Sequence, residues 1–289
     1  MTSAELVALA RPAAAGRVRA PRIDWRFALA LAAAALFATP VLYAALVSLM
    51  PRSALIARDF SASALTLDNY VRVWTEHPFP RYFLNSMIVT VAITAGAMTT
   101  SIMAAYALAR TRVWGRGAIF LAIVATLMIP GHVTLIPNYL TMAGTGLRNT
   151  YAGLILPFLA SGFAVFFLRQ HFLTVPQEVI DAARIDGAGH WRILWGVVVP
   201  MTRPAVAAIA VFLFLAEWNN YLWPLVMTDV PRMRTIEIGI ARLFIDEETG
   251  GQDWPLIIAG ALSVMVPPAL VFALAERHLV SGVAMGSVK

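Results

Sequence analysis

Apolar residues in this chain gather into long runs, and polar residues are largely confined to the stretches between them. Six runs are long enough to be membrane spans: Phe27–Leu49, Tyr82–Ala109, Gly117–Leu140, Tyr151–Leu168, Ala205–Met227 and Trp254–Ala275. A helix needs about 20 mostly apolar residues to cross a hydrocarbon core of roughly 30 Å. The pattern therefore predicts an all-α integral membrane protein with six spans. The first run follows Arg17, Arg19, Arg22 and Arg26. It exceeds the roughly 7–15 apolar residues of a secretory signal and is read as an uncleaved anchor. Pro130, Pro137, Pro157, Pro224, Pro267 and Pro268 lie at membrane depth. Each frees backbone groups that lipid cannot satisfy, so neighbouring helices or a water-lined cavity must satisfy them.

One stretch between runs breaks the pattern: IDAARIDGAGHWRILWGVVVP, Ile180 to Pro200. It carries Asp181, Arg184, Asp186 and Arg192, and is interrupted by Gly187 and Gly189. Thr174 and Gln177 have capping-box spacing, Pro176 suits a first turn, and Glu178 and Asp181 suit the positive end of a helix dipole. Ala182 and Ala183 leave the backbone open to close approach, and Gly187 stands where the helix should stop in a left-handed cap. The expectation is a short helix, a glycine turn and a second helix carrying Trp191 and Trp195 back into the bilayer. Such a segment is either a solvated loop or a docking surface for a soluble partner. A second short helix is expected within LTLDNYVRVW, with Leu67, Tyr70, Val71 and Trp74 on one face.

Charge sets the sidedness. Alternate loops hold 14 and 8 Lys plus Arg, the richer set comprising both termini and the segments 110–116 and 169–203. That set belongs in the cytosol. The loops 51–81 and 228–253 then face outward, the latter with Asp229, Glu237, Asp246, Glu247, Glu248 and Asp253. The 289 residues are 60% hydrophobic and 13% charged, with a mean hydropathy of +0.73. A soluble domain carries about 25% charged residues. The net charge of +6 comes from arginines scattered between runs, which fits membrane sidedness and excludes a nucleic-acid stripe.

Several chemistries drop out. There is no cysteine, and no HExxH or GxSxG motif. The single lysine is Lys289, so a Gly-Lys-Ser/Thr phosphate loop is absent and any ATP site must belong to a partner. Within the spans, Glu217 is the one carboxylate, opening Glu217-Trp218-Asn219-Asn220-Tyr221. An ionisable group there costs about 2.5 kcal/mol or more at the bilayer centre, so it must face the bundle or a water-filled path. Amides and flat aromatic faces beside it suit a polyol or sugar pathway. They equally suit a polar clamp between helices. His132 and Asn138 in the third run read as packing or gating residues.

Asp181-Ala182-Ala183, Gly187 and Val197-x-Val199-Pro200 resemble the EAA loop of bacterial ABC importer permeases, with Asp181 in place of the usual Glu. LDNYVRVW, YFLNSMIVT, AAYALAR, MIPGHVTLIPNYL, LRNTYAGLILPF, FFLRQHFLTVPQE, EWNNYLWPLV and GVAMGSVK extend the likeness to the second permease of the maltose type and the sn-glycerol-3-phosphate type. The resemblance implies a six-span type I ABC importer permease fold with a cytosolic coupling helix. Gln177, Glu178, Asp181, Ala182, Ala183, Arg184, Asp186 and Gly187 would dock an ATPase subunit, and Glu217 to Tyr221 would line the translocation pathway. It implies a second homologous permease, two ATPase subunits that bind ATP and Mg, and an extracytoplasmic solute-binding protein. No cofactor is expected on this chain. The domain reading is a cytosolic segment 1–26, a permease domain 27–276 with its coupling loop at 170–203, and a cytosolic tail 277–289, in the bacterial inner membrane. The alternative is a transporter driven by an ion gradient.

Overall fold

The computed structural model describes residues 25–244 and 252–286, with side chains as far as 276. Most of the expected N-terminal segment, the acidic residues Asp246, Glu247 and Glu248, and the last three residues lie outside the described residues. The chain divides into two units, Met1–Leu46 and Val47–Lys289.

Helix α1 is Trp25–Ser48, followed by the short α2 (Arg52–Ala57) and α3 (Asp68–Thr75). Helix α4 (Phe79–Arg110) has 32 residues and is about 48 Å long. After it come α5 (Arg116–Thr126), α6 (Leu135–Gly144), α7 (Tyr151–Ile155, prolonged by a 3₁₀ turn to Phe158) and α8 (Gly162–Leu173). The interrupting segment forms α9 (Gln177–Ile185) and α10 (His190–Met201, with a π turn at Leu194–Val198). Helices α11 (Arg203–Trp218), α12 (Leu222–Met227), α13 (Ile236–Leu243) and α14 (Trp254–Gly286) complete the described residues. In the second unit α4 is central, packing against α7, α8, α11 and α13, while α11 packs on α14.

Among the described residues, α1, α4 and α14 are long and apolar enough to span a membrane singly, and two bent pairs qualify as broken spans. These are α7–α8, bent by 42°, and α10–α11, bent by 85°. The expectation of a continuous third span fails. Gly117–Leu140 is divided between α5 and α6 by turns over 127–134, around Pro130 and Gly131. Proline has no N–H and clashes with the preceding turn, so hydropathy continues where the helix cannot. The fifth stretch is likewise interrupted, at Asn219 to Tyr221.

The breaks are satisfied by capping side chains at the helix starts and by side chains of neighbouring helices. Ser161 Oγ accepts from the Ala164 N–H at 3.2 Å, capping α8, and Thr150 Oγ1 accepts from the Gly153 N–H at 3.1 Å, capping α7. Across the α7–α8 bend, Thr100 of α4 donates to the Leu159 carbonyl at 2.6 Å. Two tryptophans do the same for prolines. In an α-helix the Val264 carbonyl would accept from residue 268, which is Pro268. It receives the Trp218 indole N–H instead, at 3.2 Å. Residue 157, four beyond Gly153, is Pro157, and the Gly153 carbonyl accepts from the Trp223 indole at 3.2 Å.

Helix α3 forms as expected, and Tyr70 and Trp74 of its expected apolar face pack against the core. Leu67 before it and Val71 within it are exposed, whereas Val73 and Asn69 are buried. Asn69 earns its place by donating to the Ser48 and Met50 carbonyls, both at 2.8 Å. A polar residue in the core is tolerated when its hydrogen bonds are made.

Candidate functional site

The charged segment projects from one end of α4. Helix α9 is anchored by a single fully buried side chain, Ile180, which packs with Phe172, Val175, Ile193 and Leu194. Ala183 rests against the same cluster. The rest of the helix faces outward: Gln177, Glu178, Asp181, Ala182, Arg184, Asp186 and Gly187 are all exposed, and Ile185 is 87% exposed. An isoleucine so placed beside Ala182 is apolar surface without an intramolecular partner.

The ends of α9 differ. The expected capping box is absent: Thr174 Oγ1 donates to the His171 carbonyl at 2.8 Å, Pro176 occupies the N-cap, and no side chain caps the first turn. The hydroxyl is taken by the end of α8 before α9 begins. At the C-terminus Gly187 adopts φ +78°. The Ala188 N–H donates to the Ala183 carbonyl at 2.9 Å and the Gly187 N–H to Arg184 at 3.0 Å. These are the two bonds of a Schellman cap, with glycine where a left-handed residue is needed. On the exposed face, Asp181 accepts from Gln177 Nε2 and Arg184 Nη1, each at 3.0 Å. Exposed pairs of this kind contribute about 1 kcal/mol or less. They hold the side chains in place along the helix more than they stabilise the fold.

What fixes α9 to the bundle is a residue that charge counting assigned only to sidedness. Arg110, the last residue of α4, donates from Nε and Nη2 to the Phe172 carbonyl at 2.9 and 2.6 Å. Nη2 also donates to the Val175 carbonyl, and Nη1 to Gln177 Oε1 at 3.0 Å. One guanidinium thus closes the end of α8, the connector and the first residue of α9 onto α4. Tyr106, one turn back, meets His190 Nδ1 at 3.1 Å and so holds the start of α10.

The second group, Glu217 to Tyr221, is divided by the structure. Trp218 is 1% exposed and is engaged with Val264, so its ring is a core element and presents no face to a solute. Asn219 Nδ2 donates to the Leu215 carbonyl at 2.7 Å, closing the last turn of α11. Asn220 bridges the break, donating to Glu217 Oε2 at 3.2 Å and accepting from the Trp223 N–H at 3.4 Å. Glu217 and Asn220 share a cavity of about 10 Å³ with Ser86, Thr90 and Thr235. That is room for one water at most. Tyr221 and Asn219 are exposed. His132 and Asn138 fall on either side of the start of α6 rather than within one span. No group of three or more His, Cys, Asp or Glu able to hold a metal occurs among the described residues.

Residues 96–283 match the family of the binding-protein-dependent transport system inner membrane component. An arabinooligosaccharides transport system permease protein of Halalkalibacterium halodurans is 34% identical over 279 residues, 94% of this chain and 99% of that one. An sn-glycerol-3-phosphate transport system permease protein of Agrobacterium fabrum is 37% identical over 235 residues, 81% of this chain and 82% of that protein. Among solved structures, a bacterial ABC transporter involved in the import of the acidic polysaccharide alginate superposes with a TM-score of 0.76 at 23% identity, covering 89% of this chain and 98% of that one. The same kind of transporter in complex with an alginate pentasaccharide-bound periplasmic protein gives 0.61 at 14% identity. Nothing in these relatives favours the ion-gradient alternative. The chain belongs to the binding-protein-dependent transport system inner membrane components: it is a permease subunit of an ABC importer, works with a solute-binding protein, and is not itself an enzyme.

Proposed function

We propose that this chain is one half of a heterodimeric permease whose α9 seats in a cytosolic ATPase subunit. The single observation that carries the reading is the exposed, small-residue helix α9, held at the end of α4 by Arg110. A second homologous permease completes the pore. Two ATPase subunits beneath hold ATP and Mg, which this chain, lacking a phosphate loop, cannot bind in that way. Both termini and the 170–203 segment face the cytosol. When the ATPases close on nucleotide, α9 is displaced, and the clamp passes the displacement to α4 and hence to the opposite end of the bundle. Coupling then has physical content, because nucleotide binds one of two arrangements better than the other.

The relatives that transport arabinooligosaccharides and sn-glycerol 3-phosphate frame the solute as a sugar or a phosphorylated polyol. Glu217 with Asn220 remains the polar candidate for the pathway, and Glu217→Ala is expected to reduce uptake while leaving assembly intact. The decisive test uses the absence of cysteine. Ala182→Cys gives a unique thiol, and a short bifunctional reagent in the assembled complex should join it to an ATPase subunit. If only permease–permease or lipid adducts form, the docking assignment falls.

A further inference from the structure

At the end of α4 remote from Arg110, Phe79 and Tyr82 form the floor of a cleft of about 400 Å³ walled by Arg234, Arg242 and His77. The volume lies within the range of small-molecule pockets. No carboxylate is among its lining residues. Of the carboxylates on neighbouring segments, Asp229 is engaged with Arg148 at 2.8 Å and with the Asn149 amide, Asp253 and Glu76 with Arg72 at 3.3 and 3.2 Å, and the half-buried Glu237 of α13 lies outside the lining. Arg234 gives one donor, Nη2, to the Asp229 carbonyl at 3.0 Å. Arg242 stands in the last turn of α13 with no ion pair among the described residues. Arg81 is tied to the same turn, its Nε donating to the Arg232 carbonyl at 3.2 Å.

This accumulation runs against the charge asymmetry of the chain. The outer loops are the arginine-poor set, yet two of their eight, Arg234 and Arg242, line one cleft, and the Arg81 guanidinium is held at the adjoining turn. Guanidinium groups around a concave, partly apolar wall match phosphate and carboxylate geometry, since each can donate two parallel bonds to two oxygens. The wall is also closely built. A Cβ on Gly239 would lie 2.6 Å from Tyr82 Cδ2, so glycine lets α13 lie directly on the aromatic floor.

We propose that this cleft is a binding site for an oxyanion, the phosphate or carboxylate of a small solute or the phosphate of a lipid headgroup. Its placement on the extracytoplasmic face rests on the orientation given under Proposed function, but its chemistry does not. The experiment uses the complete transporter in phosphatidylcholine nanodiscs, with the nucleotide sites filled by a non-hydrolysable analogue, and measures equilibrium binding of radiolabelled inorganic phosphate. Saturable binding is expected. It should weaken about tenfold in Arg242→Gln, the loss of one charge-assisted contact, and vanish in Arg242→Glu. Adding phosphatidylglycerol to the discs separates the sources. Competition assigns the site to a headgroup, and undiminished phosphate affinity assigns it to a free solute. Absence of saturable binding in phosphatidylcholine, or equal binding in both Arg242 variants and the parent, overturns the proposal. Co-purification of the ATPase subunits with each variant serves as the fold control. It also separates this result from failure of the docking assignment, which the Ala182 cross-link reads on its own.

Discussion

Replacing Arg110 by methionine removes the guanidinium while keeping a long apolar stem at the end of α4. The Phe172 and Val175 carbonyls and the Gln177 side chain then lose their common donor. A hydrogen bond from a charged donor contributes about 1.5–3 kcal/mol. The contacts share one group and are not additive, and water can reach the half-exposed site, so a total of about 2–4 kcal/mol is reasonable. Ile180 still holds the middle of α9 in the core, so the global fold should survive. The loss falls on the connector, whose opening equilibrium should rise by roughly thirtyfold or more, at about 1.4 kcal/mol per decade. Hydrogen exchange of peptides covering 174–186 should accelerate accordingly, with α11 unchanged. In reconstituted transporter, more ATP should be hydrolysed per solute imported, because force applied to α9 is no longer passed to α4. Arg110→Lys should recover only part of both effects, since an ammonium cannot reproduce the planar fork. If exchange over 174–186 and the ATP-to-solute ratio match the parent in a folded Arg110→Met complex, the clamp argument is wrong.

Other changes probe separate elements. Trp218→Phe keeps a ring in the core but leaves the Val264 carbonyl without a donor, so the purified subunit should lose about 1–3 kcal/mol in thermal unfolding, without a change in solute preference. Gly187→Ala adds a Cβ that meets no atom within 4 Å, so its cost is that of φ +78°, about 1–2 kcal/mol, seen as fraying at the end of α9 by exchange. The Asn149 amide, with smaller help from Arg148 and the Val230 N–H, holds the Asp229 carboxyl below its ordinary value. The contact between the 147–150 and 229–230 segments is therefore at full strength above the unfolded value of about 3.9, and fades as pH falls through the lowered one. Exchange at those segments should rise on acidification, and Asp229→Asn should flatten the response.

Much of the architecture could be read from apolar run length, because α1, α4 and α14 need only be long and oily. The path of the backbone inside a run could not. Pro130, Gly131 and His132 lower the hydropathy of Gly117–Leu140 only locally, so an average over the run does not separate α5 from α6. Helical periodicity placed α3 and the inward Tyr70 and Trp74 but missed Asn69, which is buried for two carbonyls that only the tertiary fold brings near. The glycine stop at Gly187 was legible because left-handed φ is a local demand. Thr174 was not, because two helix ends compete for one hydroxyl. Within the candidate site, Ala182 and Ala183 stood out as small residues in a charged segment. Arg110 was hidden, as its partners are carbonyls more than sixty residues away.

The tryptophans that serve Pro268 and Pro157 make each proline site joint property of two helices. Pro268→Ala would give the Val264 carbonyl back to its own ladder and strand the Trp218 N–H, while Trp218→Phe alone strands the carbonyl. The two changes together should cost less than their separate effects predict. Along this chain, then, an inward-facing tryptophan and a distant proline form one unit, and exchanging either alone is the destabilising step.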